Sequence, residues 1–345
     1  MSNFVNLLLQ WFEENQRSLP WRNETSPYKI WISEVILQQT RVNQGWNYYL
    51  DFINHFPTLT ALASASEDEV LKVWQGLGYY SRARHLHQAA QHIVKEHNGV
   101  FPNSYTEIRK LKGVGDYTAA AIASIAFQLP YPAVDGNVLR VICRYFGIFE
   151  DIMLTSTKNR VKEICQKLMK NHSPGDFNQA LMDFGATHCT PANPACETCQ
   201  FNKKCYAFIH EQTKILPIKI KKIKMKNRYF HFIFFVDKAH QTIIQQRKKS
   251  DIWKNLYQFP LVETSSTKFS IANYLKTKGI ATTSPPVRLK EVQQQLSHQT
   301  IFATFYLVPI ENIEVVANEG KITTVEELTN FPVPKMIAEI ITVYD

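Results

Sequence analysis

No run of eighteen apolar residues occurs in this 345-residue chain, so the sequence offers no candidate for a membrane-spanning helix. Internal repeats and low-complexity tracts are also missing, which argues against solenoids and disordered tails. No basic leader precedes the first apolar residues. Phe4, Leu7, Leu8, Trp11 and Phe12 recur at helical spacing with Glu13 and Glu14 behind them, the pattern of an amphipathic helix and not of a signal peptide. What is present is ordinary for a folded protein: 45% hydrophobic and 20% charged residues, in a chain long enough for two domains with real cores. The net charge of +9 points toward a polyanionic partner, although many basic proteins have none.

Cysteine is scarce except in one place. Four of the six fall together as Cys189, Cys196, Cys199 and Cys205, with Pro191 and Pro194 stiffening the first loop. So many thiols in a chain without a secretory leader read as a metal site and not as disulfides. Structural zinc sites usually bring two close pairs. Here one Cys-x-x-Cys is flanked by longer, unequal spacers that can wrap a larger iron–sulfur cubane, so spacing favours the cluster without deciding it. Cys143 and Cys165 lie in apolar runs and read as small core residues.

From Trp11 to about residue 210 the periodicity is helical, broken by prolines such as Pro57, Pro102 and Pro130, which predicts an all-α first domain over 1–210. A basic linker over 211–228 follows, with Lys214, Lys219, Lys221, Lys222, Lys224, Lys226 and Arg228 among isoleucines. It is either a solvated connection or one that lies along a phosphate backbone. Beyond it, Tyr229 to Val236, Thr242 to Gln246 and Ile301 to Val308 read as strands, with helices near Ile271 to Thr277 and Met336 to Ile341. A separate α+β domain over 229–345 is the result.

Three features of the helical half carry chemistry. Leu111-Lys-Gly-Val-Gly-Asp116 turns into the alanine-rich run from Ala119, so Gly113 and Gly115 open a helix whose backbone N–H groups could hold a phosphate. Most such turns are only turns. Asp135 stands twenty residues past Gly115, just before the helical pattern from Val138, where it is a helix cap or a carboxylate kept ionised for chemistry. Glu34 shares a helix face with Ile30, Trp31, Leu37 and Gln38. It is either a water-bridged acid near a helix end or a buried one whose pKa is raised so that it can donate a proton near neutral pH. Two carboxyls pushed apart by their surroundings make an acid and a base assignment possible.

These residues stand in seven ordered motifs: Pro20-Trp-Arg22, Ser33 to Thr40, Gly76 to Arg82, Gly113 to Thr118, Val134 to Val138, Ala180 to Ala186 and the four-cysteine loop. Together they resemble the helix-hairpin-helix DNA glycosylases, and among them the adenine DNA glycosylases of the MutY type. The resemblance implies a helix-hairpin-helix core with a [4Fe-4S] loop held by the four clustered cysteines, and a C-terminal Nudix-like domain. It implies Glu34 as proton donor to the adenine ring, Asp135 as stabiliser of the sugar cation, and Tyr117 and Asn137 as groups that orient them. Gln39 would fill the gap left by the extruded nucleotide and Tyr79 would intercalate, with Arg82, Gly113 and Gly115 also at the DNA. Tyr117 stands where strand-cutting relatives carry the Lys that forms a Schiff base, so the resemblance implies base removal without strand cleavage. Leu139 replaces a Lys found near this Asp in some members.

In the second half, Gln246-Arg247 and Trp253 to Pro260 are similar to the strand and turn before the catalytic box of Nudix hydrolases, but the acidic box itself does not follow Pro260. Such a domain could read 8-oxoguanine through Ser297 and His298, with Leu296 in place of the usual Phe. The implied partner is double-stranded DNA with adenine opposite 8-oxoguanine or guanine, bound by a monomer in the cytoplasm at the nucleoid. The alternatives are a thymine or uracil mismatch glycosylase of the same superfamily and a non-catalytic iron–sulfur DNA-binding protein. A zinc regulator is a further one.

Overall fold

The computed structural model describes residues 2–220 and 225–344. Lys221, Lys222 and Lys224 of the basic run therefore lie outside the described residues. The chain forms two compact units, one of Met1–Ser64 with His85–Lys221 and one of Ala65–Arg84 with Lys222–Asp345. The segment 65–84, within the expected helical domain, groups with the second unit.

The first unit is helical. The Ser2–Asn15 helix places Phe4, Leu8, Trp11 and Phe12 in a core with Val138 and Ile142 of the Gly136–Phe146 helix and Phe177, Leu181 and Phe184 of the Pro174–Thr187 helix. Burial of each such side chain contributes roughly 1.5–3 kcal/mol. Cys143 and Cys165 are buried in this core, as their apolar runs suggest. The Pro27–Leu37 helix starts at a Ser26 cap with Pro27 in its first turn, and every residue from Ile30 to Ile36 is buried. It packs on the Asp116–Phe127 helix, where the Gln38 amide donates to Thr118 Oγ1 at 3.0 Å. Tyr105–Lys110 and Asp116–Phe127 form the two helices of the glycine hairpin. Gly113 has φ +78°, and a Cβ there would lie 2.6 Å from His85 Cβ, so both conformation and space demand glycine.

The second unit holds a mixed sheet in the order β3-β2-β1-β6-β5, with β4 (Leu261–Thr264) on β1 and β7 (Lys321–Thr324) on β2. Its centre is β1 (Lys226–Val236) running parallel to β6 (Gln299–Pro309), with β2 (Gln241–Gln246) antiparallel to β1. Strand β1 begins at Lys226, inside the expected linker, and Arg228 is buried in it against Glu263 at 2.7 and 2.8 Å. β3 (Tyr257–Gln258) and β5 (Val287–Gln295) are the ends of the sheet's main path. Helices Ile271–Lys278 and Lys335–Tyr344 complete the unit. The expected strands and helices of this half are all present, extended by up to three residues at an end.

Candidate active site

Four elements converge on one cavity of about 200 Å³ in the helical unit: the Pro27–Leu37 helix, the second hairpin helix, the start of the Gly136–Phe146 helix and the Pro174–Thr187 helix. Glu34, Tyr117, Asp135 and Asn137 all line it. The two carboxyls, about a hundred residues apart in sequence, therefore open onto the same space.

Their surroundings differ. Glu34 is 8% exposed, and burial raises its pKa to about 7; a hydrogen bond with Tyr117 opposes the rise, the Asp135 charge adds to it and Arg22 lowers it. The Tyr117 hydroxyl also lies 3.2 Å from Met182 Sδ, so the phenol is fixed between the two. Burial holds this phenol well above the usual tyrosine range, and it stays neutral. Asp135 caps its helix by accepting from Val138 N at 2.8 Å, and Asn137 Nδ2 donates to its other oxygen at 2.7 Å.

The helix mouth was expected to let Asp135 stay ionised. Burial raises its pKa above the ordinary carboxylate value, against the Val138 and Asn137 hydrogen bonds and the Arg140 charge. The order of titration still follows from the bonding. Asp135 accepts from two backbone N–H groups and an amide, whereas Glu34 has a single phenol, so the anion settles on Asp135.

The wall contains groups that sequence reading passed over. Asp183, 2% exposed, accepts from Arg17 Nη2 at 2.5 Å and Arg22 Nη2 at 2.6 Å, while Arg22 Nη1 donates to Gln179 at 2.5 Å. Two arginines on one buried carboxylate leave net positive charge beside Glu34. Arg22 and Asp183 both lie in quoted motifs, which was the available signal. Gly185 lets the wall approach: a Cβ there would be 2.6 Å from Asn137 Cβ. Arg140 then ties Asn137 Oδ1 (2.8 Å) to the carbonyls of Gly185 (2.6 Å) and Cys189 (2.8 Å). Leu139 points into the core.

One turn further along the same helix, Arg144 donates to Cys189 Sγ at 3.4 Å and to the Thr190 carbonyl at 2.7 Å. Cys189, Cys196, Cys199 and Cys205 line a single apolar-walled cavity with Phe4, Phe184 and Phe201. Among the described residues, no three His, Cys, Asp or Glu side chains close around one ion.

The remaining sequence-predicted residues lie elsewhere. Gln39 is exposed just past the Pro27–Leu37 helix with φ +60°, in the left-handed region that a glutamine rarely adopts. Gly115 caps the second hairpin helix with no side-chain cap. In the second unit, Tyr79 has φ +49° and is 47% exposed, with its hydroxyl bonded to Ser297 Oγ. Arg82 is buried with its guanidinium 5.2 Å from the Trp74 ring and 5.5 Å from Tyr79, and donates to Gly78 O. It braces the turn that carries Tyr79. Ser297 and His298 are exposed. A cavity of about 540 Å³ runs between the Gly76 to Ser81 turn and the Gln294 to His298 loop, with Trp253 in its wall.

Residues 32–171 match the HhH-GPD superfamily of base excision DNA repair proteins, and residues 231–343 match the NUDIX domain. An adenine DNA glycosylase of Buchnera aphidicola (from Schizaphis graminum) is 32% identical over 99% of this chain and 98% of its own length. The human adenine DNA glycosylase is 44% identical over 59% of this chain and 39% of its own length. Among solved structures, a thermostable thymine-DNA glycosylase aligns with a TM-score of 0.55 and 31% identity over 60% of this chain and 96% of that one. An endonuclease III–DNA complex, 21% identical with a TM-score of 0.53 over 61% and 95%, shares the fold. The near-complete overlap with the bacterial relative and the helical and NUDIX matches in series give one conclusion: the chain belongs to the adenine DNA glycosylase family.

Proposed function

We propose that this enzyme hydrolyses the N-glycosidic bond of adenine mispaired with 8-oxoguanine or guanine in double-stranded DNA and leaves an intact strand with an abasic site. The observation that carries the reading is the meeting of Glu34 and Asp135 in one cavity, with the phenol of Tyr117 beside them and no amine within the lining. A base in a duplex cannot reach such a cavity without leaving the stack. Gln39, exposed in left-handed backbone, is suited to fill the gap, and Tyr79, likewise exposed, to intercalate beside the opposite base. Arg82 acts in this scheme through Tyr79.

Neutral Glu34 gives its proton to an imidazole-ring nitrogen of adenine, and the bond from the sugar carbon to the base nitrogen breaks with its electron pair leaving on the base. The sugar becomes an oxocarbenium ion, stabilised or briefly trapped as an ester by the Asp135 carboxylate. Water attacks that carbon, its proton restores Glu34, and free adenine and an abasic sugar result. Asn137 and Tyr117 keep the two carboxyls in place throughout.

The four thiols fit a [4Fe-4S] cluster better than zinc. Structural zinc sites usually bring two close pairs of ligands, whereas here one Cys-x-x-Cys with longer, unequal spacers brings all four thiols to one apolar-walled cavity. Cys189, Cys196, Cys199 and Cys205 would hold it, and when bound it would supply rigidity to the loop. Arg140 and Arg144 connect that loop to the helix of Asp135. The hairpin at Gly113 and Gly115 clamps a DNA phosphate. The glycosylase domain expected over 1–210, less the segment 65–84 that groups with the second unit, and the Nudix-like reader expected over 229–345 are joined by the segment 211–228, whose last residues open β1; in the reader Ser297 and His298 meet the oxidised base. The enzyme works as a monomer on nucleoid DNA in the cytoplasm.

The test is release of free adenine from a labelled duplex with adenine opposite 8-oxoguanine, scored with and without alkali. Strand breaks only after alkali support the proposal. Breakage without alkali would remove the monofunctional reading. Likeness to the thymine-DNA glycosylase favours one competitor, and release of thymine or uracil but not adenine from a mismatch panel would establish it.

A further inference from the structure

The hairpin carries a charge that a phosphate clamp does not need. Asp116 is the first residue of the second hairpin helix, at the end where the backbone N–H groups face outward and Gly115 supplies no side-chain cap. An anion placed there repels a DNA phosphate approaching the same N–H groups. The carboxylate does not stand alone, because Arg109 at the end of the first hairpin helix donates from Nε to Asp116 Oδ1 at 2.5 Å and from Nη1 to the Val114 carbonyl at 3.0 Å. A guanidinium has five donors, and among the described residues Nη2 of Arg109 has no protein partner. The pair is open to solvent, Arg109 at 46% and Asp116 at 73%. So an arginine with spare donors sits at the hairpin mouth, fixed by one carbonyl and neutralised by one carboxylate.

We propose that Arg109 is a ligand for the DNA backbone phosphate at the hairpin and that Asp116 is an internal substitute for that phosphate, occupying Arg109 in the free protein and holding back duplex affinity. This rests on the hairpin being the phosphate clamp. The Val114 carbonyl keeps the guanidinium at the mouth while the incoming phosphate takes over or shares its Nε and Nη edge. Such an arrangement prevents the basic chain from clinging to undamaged DNA, where a weaker clamp speeds departure.

The experiment measures binding of the full-length protein to an undamaged duplex across a salt series. Asp116→Asn should tighten binding about three- to fivefold at low salt, the repulsion expected of one charge about 5 Å from a phosphate in water. Arg109→Gln should weaken binding and flatten the logarithmic salt dependence by about 0.9, the release of one counterion. Asp116→Glu, which keeps the charge, should bind as the parent does. Unchanged or weaker binding by Asp116→Asn, or loss in both Asp116 variants, overturns the inference and makes the pair structural. An unaltered salt slope in Arg109→Gln overturns the phosphate role. A parent protein that binds no duplex at all defeats the wider functional reading instead.

Discussion

Replacing Glu34 by Gln should move activity and stability in opposite directions. The glutamine keeps the shape and neutrality of the protonated acid but cannot deliver a proton. Loss of a general acid costs typically 10²–10⁴ in rate, and single-turnover adenine release should fall at least that far while duplex binding persists. Stability should rise. Burial lifts the Glu34 pKa from 4.5 to about 7, so the folded protein holds this proton more tightly than the unfolded chain. Stability attached to the group is complete below pH 4.5 and is lost as pH climbs through about 7. At pH 8 the loss amounts to about 3 kcal/mol, an upper figure given that the cavity admits water. Glu34→Gln removes that loss, so at pH 8 it should melt several degrees above the parent, with the gap closing toward pH 5. Thermal melts of both proteins at the two pH values check this. A variant that melts lower at pH 8, or that still excises adenine within threefold of the parent rate, would refute the placement of a neutral acid here.

Asp135→Asn should lower excision at least a hundredfold and leave binding to the mispaired duplex intact, measured by single-turnover assay and anisotropy; equal excision would remove the cation-stabilising role. Tyr117→Phe deletes the hydrogen bond that lowers the Glu34 pKa. Its alkaline limb of activity should therefore move to higher pH, and an unmoved limb would show that the phenol does not touch the acid. The double change Ser297→Ala with His298→Ala should shrink the preference for adenine opposite 8-oxoguanine over adenine opposite guanine, with equal ratios in parent and variant counting against that loop.

Local chemistry made much of this fold legible in advance. Helical periodicity places the first unit's elements, and Ile30, Trp31 and Leu37 around Glu34 give away a buried acid because a helix cannot turn that many apolar groups to water. Asp135 before Val138 is readable as a cap. The Asp183 contacts with Arg17 and Arg22 were not readable, since the partners lie 166 and 161 residues apart and only the tertiary fold joins them. β5 escaped notice for another reason: its VRLKEVQQQ sequence is largely exposed and its apolar alternation stops after Val287 and Leu289, so only pairing with β6 makes it a strand. The segment 65–84 reads as helix, and it is helical at Glu67–Val73. Nothing local says that Asp68 will bond Tyr257 and Glu67 will bond Asn255 of the second unit. The rise in the Asp135 pKa was missed because a cap signals the hydrogen bonds and not the depth of burial.

Single-turnover release of adenine from an adenine:8-oxoguanine duplex, followed from pH 5 to pH 9, tests the two-carboxyl account most directly. Excision that is highest on the acid side and falls away through about pH 7 is the result predicted by a buried Glu34 that must carry its proton. A rate that stays level or climbs across that range would contradict it.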